Sequence, residues 1–268
     1  MSVLMIYLAL SAAAAAALGA ASGQTGFPLV CLVVLFFVGA FLTLLVLTVL
    51  FAAVCALFVD MDAPQKVPSR FYRALVSLVM AMLTTLSRIR LHVTGLEKLP
   101  EGCFLLVGNH RSSYDPIVTG WALRRRGLAF LSKPENMRIP VVGQLLHKSC
   151  YLAIDRENDR AAMRTILTAS DMLARGVTNI GVYPEGTRNP APELLPFRNG
   201  AFKIAQKAHA PIVVAVIRGT DEVRRRFPWR GTDVYLDICR VMDAETACQM
   251  KTNEIGDTIR TWINSANS

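Results

Sequence analysis

Hydrophobic positions change rhythm twice along the chain. From Val3 to Ala21 they form an alanine-rich run, Ser22 to Gly26 interrupt it, and from Phe27 to Phe58 they continue almost unbroken in Leu, Val and Phe. The second run would measure about 48 Å as a helix against roughly 30 Å of hydrocarbon, so it can span a bilayer with tilt or overhang. The first predicts another apolar helix; a cleaved signal peptide is its alternative, weakened by the lack of a Lys or Arg ahead of the run. Phe71 to Ser87 is a third apolar stretch, flanked by Arg70, Arg73, Arg88 and Arg90. A membrane-proximal surface helix and a buried core helix both fit it.

Beyond Leu91 short β-branched runs alternate with amphipathic ones. Strands are expected at Leu91 to Thr94, Phe104 to Val107, Leu128 to Leu131, Tyr151 to Ile154, Asn179 to Tyr183, Ile212 to Ile217 and Val234 to Val241. Helices are expected at Pro116 to Arg126, Val141 to His147, Arg160 to Arg175, from Asn199 to His209, and from Ala244 to about Asn264. The alternation predicts an α/β domain with a mixed, mainly parallel sheet flanked by helices, preceded by N-terminal apolar membrane helices.

Charge sharpens this division. No charged side chain occurs from Ser2 to Val59, so all 29 Lys and Arg and all 20 Asp and Glu begin at Asp60. The expected organisation is therefore a membrane anchor of one or two helices at 1–59 and a single domain at 60–268, with 71–87 a membrane-proximal helix. Lys66 and the four arginines around the third stretch place that domain on the cytoplasmic side by the positive-inside rule. Six cysteines lie scattered without a Cys-x-x-Cys pair, which fits a reducing compartment and neither a disulfide framework nor a zinc site.

The densest chemistry lies in Leu105 to Pro116, LLVGNHRSSYDP. On one continuous helix, His110 and Asp115 would stand about 140° apart, so the histidine belongs on a loop. Pro116 favours a helix starting there, with Asp115 as N-cap. A compact loop then lets a carboxylate hold one imidazole nitrogen and leave the other as a base. A loop histidine beside an ordinary cap fits the same spacing.

Two further stretches carry charge: Ser132 to Gly143 with Leu152 to Glu157, containing Lys133, Arg138 and Arg156, and Val182 to Arg188, VYPEGTR, at the end of an apolar strand. Glu185, Thr187 and Arg188 around Gly186 offer an acceptor, a hydroxyl and a bidentate cation, a set suited to a phosphate-bearing polyol. Arg124 to Arg126 and Arg224 to Arg226 read as solvated faces, or as contacts for anionic headgroups, CoA phosphates or an acidic carrier protein. Only Phe227 and Trp229 flank the second triplet, so nucleic acid is not an expected partner. His92, His147 and His209 have no metal-ligand spacing, and no Gly-x-Ser-x-Gly elbow, phosphate-binding loop or dinucleotide fingerprint occurs.

In this order the blocks resemble the motifs of the glycerolipid acyltransferase family, whose best-known members are 1-acylglycerol-3-phosphate acyltransferases; the likeness covers roughly Leu91 to Met242. His110 and Asp115 match its His-x-x-x-x-Asp motif, and Glu185, Gly186, Thr187 and Arg188 its Glu-Gly-Thr-Arg block. The Lys133 to Arg156 region and Ala210 to Val216 match its other two blocks. Phe197-Arg198-Asn199-Gly200 stands where the family usually has Phe-Lys-x-Gly, which keeps a cation.

The resemblance implies transfer of a fatty acyl group from acyl-CoA or acyl carrier protein to the free hydroxyl of lysophosphatidate, giving phosphatidate for phospholipid biosynthesis. His110 is then the general base oriented by Asp115, and Glu185 to Arg188, Arg156, Lys133 and Arg198 bind substrate. No metal or cofactor is expected, and the partners are membrane lipids and the two substrates. The alternatives are an acyltransferase for another lysophospholipid, glycerol-3-phosphate or a lyso-aminolipid, a basic membrane-surface binding module, and a metal-dependent hydrolase ligated by His110 and Asp115. Activity should survive a metal chelator unchanged; a loss reversed by divalent cation would instead select the hydrolase.

Overall fold

The computed structural model describes residues 3–191 and 193–267; Met1, Ser2, Ser268 and, in the long loop before Asn199, Pro192 lie outside them. The chain divides into two units, Met1–Asp60 and Met61–Ser268.

The first unit pairs α1 (Val3–Ala21) with α2 (Gly26–Leu57). Ser11, Ala15 and Gly19 recur every fourth residue and are all buried. Side chains four apart share one helix face, so this stripe of small residues lets the second helix come close. A Cβ on Gly19 would sit 2.6 Å from Val33. Tyr7 and Thr48 hydrogen-bond across the pair. Elsewhere α2 exposes Val34, Leu35, Leu42, Val46 and Phe51, and it is long and apolar enough to cross a membrane.

The second unit opens with α3 (Arg70–Leu86), whose first turn is capped by the Ser69 hydroxyl accepting from the Tyr72 N–H. α3 buries Leu75, Val76, Met80, Ala81 and Thr84 and leaves Phe71, Leu83 and Leu86 exposed. One face of the stretch is therefore core helix, as the buried-helix expectation has it, and the other is an exposed apolar surface.

There follow β1 (Ile89–Thr94), β2 (Leu105–Gly108), α4 (Asp115–Ala122), β3 (Leu128–Ser132), α5 (Pro134–Met137), α6 (Val142–Lys148), β4 (Leu152–Ala153), α7 (Asp159–Ala174), β5 (Asn179–Val182), α8 (Lys203–Ala208), β6 (Ile212–Arg218), α9 (Thr220–Arg226), β7 (Thr232–Met242), α10 (Ala244–Gln249) and α11 (Thr252–Asn267). The strands form a seven-stranded sheet ordered β1-β7-β6-β2-β5-β3-β4. Every neighbouring pair is parallel except β6 with β7. β2 and β5 are buried throughout and β6 nearly so, as expected of central parallel strands covered on both faces. Leu105, Val107, Ile180, Val182, Val214 and Val216 meet α7, α8 and α11 on one side. On the other, Ile89 and Val234 pack with Val118 of α4 and Val223 of α9.

Some elements differ from expectation. The helix after Pro116 ends at Ala122, because Gly127 adopts φ +66 and closes it through a turn in which the Arg126 and Gly127 N–H groups both donate to Leu123. Arg126 is accordingly no solvated residue; its guanidinium binds the carbonyls of Pro100, Glu101 and Gly102. The terminal helix breaks between Gln249 and Thr252, where the Gln206 amide takes the carbonyls of Ala247 and Met250 and the Glu254 carboxylate accepts from the Lys251 N–H. Arg224 to Arg226, read as a solvated face, are exposed as expected but stand on a helix that was not expected, α9.

Beyond the last rung of β2, the buried Asn109 side chain imitates a strand. Its amide donates to the Ile217 carbonyl and its oxygen accepts from the Ile217 N–H, both at 2.8 Å. Asn109→Ala would leave both backbone groups buried and unpaired. The expected cost is about 2 kcal/mol or more, read as a lower urea midpoint at unchanged slope; a change below about 0.5 kcal/mol would mean that water replaces the side chain.

Candidate active site

β2, β3, β4, β5 and β6 run in the same direction, so their C-terminal ends share one sheet edge. Loops at that edge of an α/β sheet hold ligands. The edge gathers His110, Lys133, Arg156, Glu185 to Arg188 and Thr220.

His110 meets Asp115. The imidazole Nδ1 lies 2.8 Å from Asp115 Oδ2, and the carboxylate is fully buried. That oxygen also accepts from the N–H groups of Arg111, at 2.6 Å, and Ser112, at 2.8 Å. Oδ1 accepts from the Thr220 hydroxyl at 2.5 Å. Oδ2 already accepts from two backbone N–H groups and so acts as an acceptor, which makes the Nδ1 that meets it the protonated nitrogen. Nε2 has no partner among the described residues, and the histidine side chain is 17% exposed.

Asp115 was expected to cap the helix at Pro116. It is instead the first helical residue, and Tyr114 occupies the cap position without a side-chain bond. The carboxylate turns back to the N–H groups of the preceding loop rather than forward, which closes the loop around the histidine.

The histidine's own backbone is held from β5. Glu185 is buried; its Oε1 accepts from the His110 N–H at 2.8 Å and its Oε2 from the Leu195 N–H at 3.0 Å. The Asn189 N–H donates to the His110 carbonyl at 2.7 Å. Both Glu185 oxygens therefore serve the protein, not an open site. Tyr183 stacks under the imidazole at 4.5 Å and 10°, and Phe130 stacks on Tyr183 at 5.4 Å and 9°. Burial, with the nearby Asp115 charge, pushes the Tyr183 phenol well above its ordinary value. Its hydroxyl faces Thr119 without regular hydrogen-bond geometry, although that neighbour's dipole favours the ionised form slightly.

The predicted cations separate into two groups. Arg156 donates to the Gly186 carbonyl, and Arg198 donates to the Arg156 carbonyl at 3.2 Å. Gly186 is left-handed at φ +72, and a Cβ there would lie 2.9 Å from Arg198 Nε, so the loop requires glycine. Burial first and then the Arg198 charge pull the Arg156 guanidinium below its usual range, opposed by Glu135. Neither arginine has a carboxylate in ion-pair range among the described residues, so an anion between them would meet two uncompensated cations. Lys133, Thr187 and Arg188 are exposed on the same edge, and no hydrogen bond joins their side chains to this pair. Arg156 and Arg198 border a groove of about 300 Å³ whose walls include Leu131, Ile154, Met163, Ile166 and Tyr183.

Sequence reasoning missed Tyr183, Thr220 and the Arg111–Asp221 pair. Arg111 donates to Asp221 at 2.9 and 3.2 Å and to the Pro190 carbonyl at 2.9 Å, fastening the loop after β5 to α9. Only the position of Thr220, two residues past an apolar strand, hinted at a site. The other histidines are occupied: His92 with Asp233, His147 with Gln65 and Ala63, and His209 beside Cys248. No cluster of three or more His, Cys, Asp or Glu suited to a metal occurs among the described residues.

Residues 90–218 match the Acyltransferase family model. A 1-acyl-sn-glycerol-3-phosphate acyltransferase of Haemophilus influenzae is 31% identical over 139 residues, 52% of this chain and 56% of the relative. Its counterpart in Salmonella typhimurium is 33% identical over 119 residues, 44% of this chain and 48% of the relative. The chain spans about half the length of the first curated relatives it matches. The crystal structure of the 1-acyl-sn-glycerophosphate (LPA) acyltransferase PlsC from Thermotoga maritima superposes with a TM-score of 0.57 at 22% identity, covering 81% of this chain and 86% of that one, a likeness of fold.

The Arg111 clamp carries a pH signature. Burial works to raise the Asp221 acid, but the Arg111 hydrogen bond and backbone N–H groups outweigh it and hold the group below the usual range. A depressed acid contributes fully above its unfolded value of about 3.9 and loses that contribution as pH falls through the folded one. The clamp is therefore closed at neutral pH. Asp221→Asn, which imitates the protonated acid, is expected to speed amide exchange across 189–191 and 193–195 at neutral pH; unchanged exchange would show that the Arg111 bonds to Pro190 and Ala191 suffice.

Proposed function

From the match of residues 90–218 to the Acyltransferase family model, we propose that the chain transfers a fatty acyl group from acyl-CoA or acyl carrier protein to the free hydroxyl of 1-acylglycerol-3-phosphate, producing phosphatidate. The observation that carries this reading is the His110 imidazole, with Nδ1 on a buried carboxylate and Nε2 unengaged at the mouth edge of the sheet.

Nε2 takes the proton of the acceptor hydroxyl as its oxygen attacks the thioester carbonyl. The tetrahedral oxyanion collapses, the C–S bond breaks, and the imidazolium returns the proton to the departing thiolate. The thioester is already activated, so the step calls for no metal, cofactor or acyl-enzyme. Asp115 fixes the tautomer and balances the imidazolium, as in other histidine–aspartate pairs. Ser112 and Ser113 do not serve as nucleophiles in it.

Arg156 and Arg198 take the acceptor phosphate, where their mutual repulsion is relieved by an anion, and the groove beside them takes an alkyl chain. Lys133 and Arg188, exposed on the same edge, act as outer cations, and Thr187 is an outer polar contact. Glu185 acts through His110 and Gly186 through its turn, both as positioning residues. Residues 1–59 form the membrane anchor, supported by the length and apolar surface of α2, and the basic flank of α3 sets the 60–268 domain on the cytoplasmic side.

General-base catalysis typically contributes about 10² to 10⁴-fold, so His110→Ala should lower turnover by about 100-fold or more without unfolding the protein. Activity within a few-fold of the parent would sink the mechanism. Arg198→Ala should raise KM for lysophosphatidate more than it lowers kcat. Across a panel of acceptors with one acyl-CoA, preference for one lacking phosphate would overturn the acceptor assignment.

A further inference from the structure

We infer that the loop between α9 and β7 is a docking surface for an anionic phospholipid bilayer, and that it turns the His110 edge of the sheet towards that bilayer. Trp229 is 85% exposed and Phe227 48% exposed. Around them stand Arg224, Arg225, Arg226 and Arg230, all exposed. Exposed tryptophan within a basic cluster is costly in water, and its amphipathic ring suits the headgroup level of a membrane.

Charge decides what meets this surface. Glu222 engages Arg225 and Arg226, but Arg224 and Arg230 have no carboxylate partner among the described residues. The Arg88 guanidinium, also exposed, donates to the carbonyls of Pro228 at 3.0 Å and Trp229 at 3.2 Å, adding positive charge and holding the loop in shape. Unpaired arginines beside an exposed indole complement the negative potential of a lipid surface. An acidic protein would satisfy the arginines but leaves the projecting aromatics without a reason.

The orientation follows from the one antiparallel pair. β7 runs against β6, with Arg218 opposite Tyr235, so β7 begins at the edge where β2, β5 and β6 end. β1 begins there too, because Ile89 pairs with Thr232 in a parallel register. The Phe227–Trp229 loop and the His110 loop therefore share an edge. The two are also tied: Tyr114 and Ser87 hydroxyls hydrogen-bond at 3.0 Å, Arg111 binds Asp221 of α9, and the Thr232 N–H donates to Arg88. A surface that receives Trp229 thus faces the mouth of the groove's edge, whatever reaction occurs there.

The test uses the full chain in nanodiscs of phosphatidylcholine, with or without phosphatidylglycerol, carrying acyl chains brominated close to the glycerol. Trp229 should be quenched by bromine, and Trp229→Phe should remove most of the quenchable emission, leaving that of Trp121 and Trp262. Quenching should be weaker without phosphatidylglycerol, and the exposed-site variant Arg224→Glu/Arg225→Glu/Arg230→Glu should fall to that level with unchanged circular dichroism. Bromine-insensitive Trp229, or equal quenching in neutral and anionic discs, would overturn the inference. So would emission that responds to a soluble acidic carrier protein and not to lipid.

Discussion

A buried carboxylate is tolerable only when its acceptor sites are filled, and Asp115 fills them from three parts of the chain: the His110 ring, the N–H groups of Arg111 and Ser112, and the Thr220 hydroxyl beyond β6. Removing any one donor leaves the buried carboxylate short of a hydrogen bond, which costs about 1–3 kcal/mol or more for a charged group. The constraint therefore reaches well past the dyad. It fixes the loop after β2, the start of α4 and the approach of α9, and these elements hold the base. Glu185 repeats the device one strand away, using a second buried carboxylate to join the histidine's backbone to the loop after β5.

Much of this was legible in the sequence because it rests on short-range rules. The all-apolar runs at Leu105–Val107 and Ile212–Ile217 declared central strands, and the five-residue gap between His110 and Asp115 with Pro116 behind it declared a loop feeding a helix. The fold class followed from alternation alone. The error at Asp115 was one of direction, since a carboxylate at a helix start can bind N–H groups ahead of it or behind it, and residue type does not distinguish them.

What stayed hidden depended on contacts between distant segments. α9 contributes a single apolar residue, Val223, to the core, so TDEVRRR shows no helical period. The break in the terminal helix is held by Gln206, some forty residues upstream. The cations illustrate the same limit: five positions carried similar charge in the sequence, yet only Arg156 and Arg198 meet, because the chain brings the 196–202 turn back against the loop after β4. Composition could identify cations suited to phosphate but not which two would be forced together.

Tyr183 belongs both to the stack beneath His110 and to the wall of the groove. The imidazole, the phenol and Phe130 thus form one aromatic column whose middle ring borders the cavity. On the proposed reaction, an alkyl chain pressing on Tyr183 also steadies the imidazole stacked on it. Selection among chain lengths would then act on how well the base is aligned, and an ill-fitting chain would bind and yet react slowly.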